Sequence, residues 1–139
     1  MDVEEIVLTQ NQIDALLAHA ESWYPKECVA LLFGHSATRR AIVSRMALMD
    51  NLAAARTTFA VKPEEQYRLL VEAEKRGDTM IGVFHSHPAP VRPSEKDLEN
   101  MRLNPVVWIV ASKSSGNWEY GSFILAQDDE TNQIRTSIR

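Results

Sequence analysis

The fold turns on residues 79–97, where Thr79-Met80-Ile81-Gly82-Val83-Phe84-His85-Ser86-His87-Pro88 leads through a proline-rich loop into Pro93-Ser94-Glu95-Lys96-Asp97. The first part is a short apolar run with β-branched and aromatic residues, which predicts a strand over Thr79–His85. His85 and His87 stand two apart at its end. Side chains at that spacing leave the same face of a strand, so both imidazoles can reach one ion, and Ser86 points the other way. Ser94 has the character of a helix N-cap, with a short helix running to Arg102 before Pro105 stops it. Asp97 then lies in the first helical turn, where the helix dipole favours a carboxylate. Two neutral imidazoles and one carboxylate form a three-ligand zinc set with an open fourth position. Two strand-end histidines with structural hydrogen bonds, and a serine that only caps, are the plainer alternative.

The flanks supply the rest of the architecture. Glu5–Leu8 reads as a short strand. Thr9 with Gln12 makes a capping box, and Ile13, Leu16, Leu17 and Ala20 follow at helical spacing up to about Trp23. Pro25 then forces extended geometry on its neighbour. Glu27–Phe33 is a dense apolar run suited to a buried strand, Arg40–Met49 is a second, and Thr57–Val61 a third. Pro63 opens a helix that stops at Gly77. Val106–Ser112, Trp118–Ala126 and Gln133–Ile138 are further strands. The expected order is β-α-β-β-β-α-β-α-β-β-β: one α/β domain over residues 1–139, a curved mixed sheet flanked by helices.

Taken together, these residues resemble the JAMM/MPN+ metallopeptidases, zinc-dependent isopeptidases that act on ubiquitin and ubiquitin-like proteins. The family's signature is an upstream glutamate, His-x-His-Pro and Ser-x-x-Asp. The matching residues are Glu27, His85-Ser86-His87-Pro88 and Ser94-Glu95-Lys96-Asp97. The block Pro25-Lys26-Glu27-Cys28-Val29-Ala30-Leu31-Leu32-Phe33-Gly34 is similar to the family's upstream block, and Asn51 and Phe59 fall where the family often has those residues. Nine residues separate His87 from Asp97, one fewer than usual in the family, which shortens the loop over Ala89–Arg92.

The resemblance implies the JAMM/MPN architecture, cytidine-deaminase-like in outline. It implies one catalytic Zn2+ held by His85, His87 and Asp97. Glu27 would be the general base for attack of a zinc-bound water, and Ser94 would donate to the oxyanion. The implied substrate is a ubiquitin-like or sulfur-carrier protein with a C-terminal Gly-Gly, together with its conjugates. Its thin tail could add as a strand along a sheet edge. The chain lacks the long insertion and Cys/His cluster of the eukaryotic deubiquitinases, so it resembles the minimal prokaryotic members. A non-catalytic MPN-type scaffold is the alternative function, although such members lose ligands that this chain keeps.

Composition supports these expectations by exclusion. The 139 residues amount to about one domain. With 15 basic against 19 acidic residues, the chain carries no electrostatic footprint for nucleic acid or anionic lipid. A single cysteine, Cys28, rules out an intrachain disulfide, a zinc ribbon and the Pro-Cys-x-x-Cys pair of nucleoside deaminases. Cys28 itself reads as a small buried hydrophobe. His19 and His35 read as surface residues, and Trp108 and Trp118 as strand packing. The acidic start Met1-Asp2-Val3-Glu4-Glu5 is not a signal peptide, and no apolar run spans a bilayer, so the expected location is the cytoplasm.

Overall fold

The computed structural model describes residues 1–55, 58–88 and 90–139. Among them the order is β1 (Glu5–Leu8), α1 (Gln10–Trp23), β2 (Val29–Ala37), β3 (Arg40–Met49), α2 (Pro63–Lys75), β4 (Thr79–Ser86), α3 (Glu95–Leu103), β5 (Val107–Ser112), β6 (Glu119–Leu125) and β7 (Thr131–Ile138). The local signals act as expected. The Thr9 side chain accepts from the Gln12 amide while the Gln12 side chain accepts from the Thr9 amide. Pro63 starts α2 with Glu64 and Glu65 in its first turn.

The sheet does not remain an open curved sheet. It closes into a barrel in the order β1-β3-β2-β4-β5-β6-β7, with β7 returning to β1. β1 runs parallel to both of its neighbours, and β4 runs parallel to β5. Charge reinforces both seams of β1. Glu5 lies 3.1 Å from Arg40 on β3 and 3.6 Å from Arg135 on β7, and the Ser137 hydroxyl donates to it. Hydrophobic periodicity marks which residues face inward, but it does not name a strand's partners, so closure was not encoded in the pattern read above. β3 beyond Ile42 is left paired on one side, since the β1–β3 ladder stops there.

Two further differences have local causes. β2 starts at Val29, not Glu27, because the Glu27 carbonyl accepts from the Asn51 side chain. The strand expected over Thr57–Val61 does not form in its described part. There the Ala60 amide donates to the Asn51 side chain and its carbonyl accepts from Leu52, so local loop bonds replace a ladder. Thr57 lies outside the described residues.

Each central strand feeds two cores. Leu32, Phe84 and Ile109 pack with Ile13, Leu16 and Ala20 of α1. Their neighbours Leu31, Val83 and Trp108 pack on the other face with Ala73 of α2 and Met101 of α3. A sheet covered on both sides explains the unbroken apolar runs in β2, β4 and β5. No helix among the described residues is long and apolar enough to cross a membrane. The register pairs Val29 with His85 and Ser86 with Ala111, so the start of β2 and the ends of β4 and β5 share one end of the barrel.

The register of β2 shifts between Phe33 and Gly34, and there the chain passes very close to β3. A Cβ on Gly34 would stand 1.9 Å from the Ile42 carbonyl oxygen. Gly34→Ala is therefore expected to cost about 3 kcal/mol of stability, the upper end of overpacking penalties. Urea unfolding checks this, with a midpoint matching that of the unsubstituted protein as the contrary result.

Candidate functional site

At that end of the barrel four ionisable side chains are buried together: Glu27 is 4 % exposed, His85 0 %, His87 6 % and Asp97 4 %. β4 delivers His85, and His87 follows directly after it, with the two rings 5.4 Å apart. Ser86 points away, as alternation requires, and its hydroxyl accepts from the Cys28 amide at 2.9 Å. Cys28 is wholly buried, and burial pushes its thiol up to about 11, which suits packing and not nucleophilic attack.

Asp97 is placed by a capping box. Its Oδ2 accepts from the Ser94 amide at 2.8 Å while the Ser94 hydroxyl accepts from the Asp97 amide at 3.1 Å. Its other oxygen, Oδ1, lies 3.1 Å from His85 Nε2. On the far side of the same ring, Nδ1 donates to Glu27 Oε1 at 3.3 Å. His85 is thus held between two carboxylates. Burial opposes a positive charge on the ring, but Asp97 and Glu27 outweigh it and raise its pKa from the ordinary 6.5 to about 9. Burial likewise pushes the Asp97 carboxyl up, yet the His85 ring and the Ser94 amide hold it below its usual range.

Although His85 Nε2 and Asp97 Oδ1 are close, they are off the line of a hydrogen bond, and Nε2 is a buried nitrogen with no hydrogen-bond partner among the described residues. Two donor atoms that stand side by side without bonding each other fit a shared third atom. His87 Nε2 lies 3.7 Å from Asp97 Oδ2, but donates to the Arg92 carbonyl at 2.9 Å. Among the described residues no three His, Cys, Asp or Glu side chains therefore stand in ready ligand geometry. The donor types suit zinc. To complete the set, His87 must give up its bond to Arg92, which belongs to the shortened loop.

Asn51 had been noted only by position, and its role lies in long-range bonds that no local pattern reports. It is buried, and its Nδ2 donates to the carbonyls of Glu27 at 2.8 Å and Thr58 at 3.0 Å. Its Oδ1 accepts from the amides of Ala53 at 2.9 Å and Ala60 at 3.0 Å. The described parts of the 51–60 loop are thereby tied to the backbone of Glu27. Phe59 on that loop sets its ring 5.3 Å from His85, and Trp108 packs 5.8 Å from the same imidazole. His35 is exposed as expected. His19 is not a free surface residue, since it is half-buried and its Nε2 donates to the Val29 carbonyl at 3.0 Å.

The chain is similar to known proteins. The profile of prokaryotic homologs of the JAB domain matches residues 9–123. A protein named desampylase from Pyrococcus furiosus is 30% identical over 134 residues, covering 96% of this chain and 90% of that protein. Another desampylase, from Haloferax volcanii, is 30% identical over 119 residues, 81% of this chain and 84% of its own. A solution structure of a protein from Desulfitobacterium hafniense superposes with a TM-score of 0.82 at 30% identity, covering 96% of this chain and 92% of that one.

Two outcomes are expected from this geometry. With a pKa of about 9, His85 is protonated at neutral pH, so zinc uptake through its Nε2 should release about one proton and strengthen as pH rises toward 9. Calorimetry in two buffers of different ionisation enthalpy measures this, and buffer-independent heat is the contrary result. Asn51→Ala would strand several buried backbone groups and should cost about 3 kcal/mol in thermal or urea unfolding.

Proposed function

The chain belongs to the family of prokaryotic JAB-domain proteins, and from that premise we propose that it is a zinc-dependent hydrolase that cuts ubiquitin-like proteins from their conjugates after a C-terminal Gly-Gly. One observation carries the reading. At one barrel end Glu27 and Asp97 flank His85, His87 lies beside it and Ser94 caps the helix that carries Asp97, while His85 Nε2 has no hydrogen-bond partner among the described residues. Two relatives, of which this chain covers 90% and 84%, bear the name desampylase.

His85, His87 and Asp97 would hold the ion. A zinc ion held there would supply Lewis acidity, acidifying water and polarising the scissile carbonyl. Glu27 takes the proton of the attacking water and returns it to the leaving nitrogen. Its backbone is anchored by Asn51 and its Oε1 meets His85 Nδ1, so the carboxylate is oriented before substrate arrives. Ser94 uses a lone pair to accept from the Asp97 amide, which leaves its hydroxyl proton for an oxyanion. The cluster's burial keeps bulk solvent from screening these charges.

The decisive experiment incubates the zinc-loaded protein with ubiquitin-like Gly-Gly conjugates, with and without a chelator, beside Glu27→Gln. This variant should keep its zinc and lose at least about a thousandfold in kcat. Near-normal turnover would remove Glu27 from the role of base, and a purified protein that takes up no metal would leave the scaffold reading. Ser94→Ala should lose about 3 kcal/mol of transition-state stabilisation, on top of about 1 kcal/mol of folding stability from the lost cap. Lowered stability with unchanged kcat would reduce Ser94 to a cap.

A further inference from the structure

The Arg92 carbonyl lies 2.9 Å from His87 Nε2. A carbonyl oxygen can only accept, so this nitrogen carries the hydrogen and presents no lone pair to an ion. Asp97 Oδ2 stands 3.7 Å from the same nitrogen, and Asp97 Oδ1 stands 3.1 Å from His85 Nε2. The proposed ligand set is therefore divided. His85 and Asp97 stand side by side without bonding each other, whereas the donor atom of His87 is engaged by backbone.

The segment that engages it is fastened at a second point. Val91 Cγ1 and the edge of the Phe123 ring both come within 3.2 Å of where a Cβ on Gly121 of β6 would stand. The bare backbone of Gly121 is thus the seat of Val91, which is half-buried. The Arg92 amide donates to the Pro90 carbonyl at 2.7 Å, closing a tight turn across Val91. Four residues separate His87 from Arg92, and two of them are prolines with fixed φ. Pro93 narrows the conformations open to Arg92 in turn. The Arg92 carbonyl therefore belongs to the same stiff turn that seats Val91, and withdrawing one withdraws the other. The His87 ring, buried and edge-on to that of His85, has little room to turn away instead.

We propose that Pro90–Arg92 is a latch that keeps His87 out of the ligand set until an ion draws it in, so that metal loading and movement of this segment are one event. The inference rests on the ligand set named above and not on turnover. An ion first meets the pair His85 and Asp97. It gains the third donor when His87 gives up the Arg92 carbonyl, and that exchange lifts Val91 from Gly121. Loading is then a two-step process whose second step is governed by the latch. The ion thereby also decides whether the site is bordered by a closed or an open segment.

The test mixes the metal-free full chain with excess Co2+ and follows the visible absorption of the bound ion by stopped flow. The rate is expected to rise with Co2+ and then level off, the plateau being the latch step. Val91→Ala removes two methyl groups from the seat and should raise the plateau about tenfold. Gly34→Ala, which weakens the barrel elsewhere, should leave the plateau unchanged. In parallel, nuclear Overhauser contacts between the Val91 methyls and the Phe123 ring should vanish when Zn2+ is bound. A rate that climbs without levelling, a plateau indifferent to Val91→Ala or raised equally by Gly34→Ala, or contacts that persist with Zn2+ bound, each overturns the latch. Protein that loads in two steps yet cleaves no conjugate supports the latch and removes the hydrolase reading. Protein that takes up neither metal removes both.

Discussion

Everything at the functional end of the barrel depends on how Asp97 divides its two oxygens. Oδ2 is spent on the Ser94 amide, which fixes the first turn of α3, and Oδ1 faces His85. One carboxylate therefore sets both the register of a helix and the charge of a wholly buried imidazole. Because the capping bond already occupies one oxygen, a metal at this site meets a carboxylate oriented to offer the other. The same division places the Ser94 hydroxyl beside the cluster, since the reciprocal bond of the capping box holds it there. Structure and chemistry are not separable at these residues: the cap is a stability device whose members are also the proposed oxyanion donor and ligand.

On the opposite flank the corresponding constraint is Asn51. All of its amide hydrogens and both oxygen lone pairs are used, and its partners come from two segments that do not otherwise form a ladder. The 51–60 loop is in this way part of the wall around Glu27 and His85, with Phe59 against the imidazole. Glu27 is held through its backbone carbonyl by the Asn51 side chain and through its carboxylate by His85.

Much of this was legible in the order of residues. Thr9 with Gln12 and Ser94 with Asp97 announce helix starts, because a side chain that caps acts within one turn. His85 and His87 announce a shared face, because strand alternation is local. Contacts between distant segments were not legible. Nothing near Thr57–Val61 says that Asn51 will satisfy its neighbours and so prevent a strand. Nothing near Glu5 says that Arg40 and Arg135 will draw one strand between two others and close the sheet.

The barrel seam joins the first strand to the last, with Ile6 beside Thr136 and Val7 beside Ser137. During synthesis β1 must then wait for β7, while β2, β4 and α3 are already out and able to pair. Parallel contacts of such sequence separation are among the slowest to form. For that interval the ligand cluster sits in an incomplete sheet with an unpaired edge along β1 and β3, a surface that recruits other chains. Glu5, paired with Arg40, occupies that edge and discourages such pairing until β7 brings Arg135. The cost of a site sealed inside a closed wall thus falls on the ribosome-bound chain.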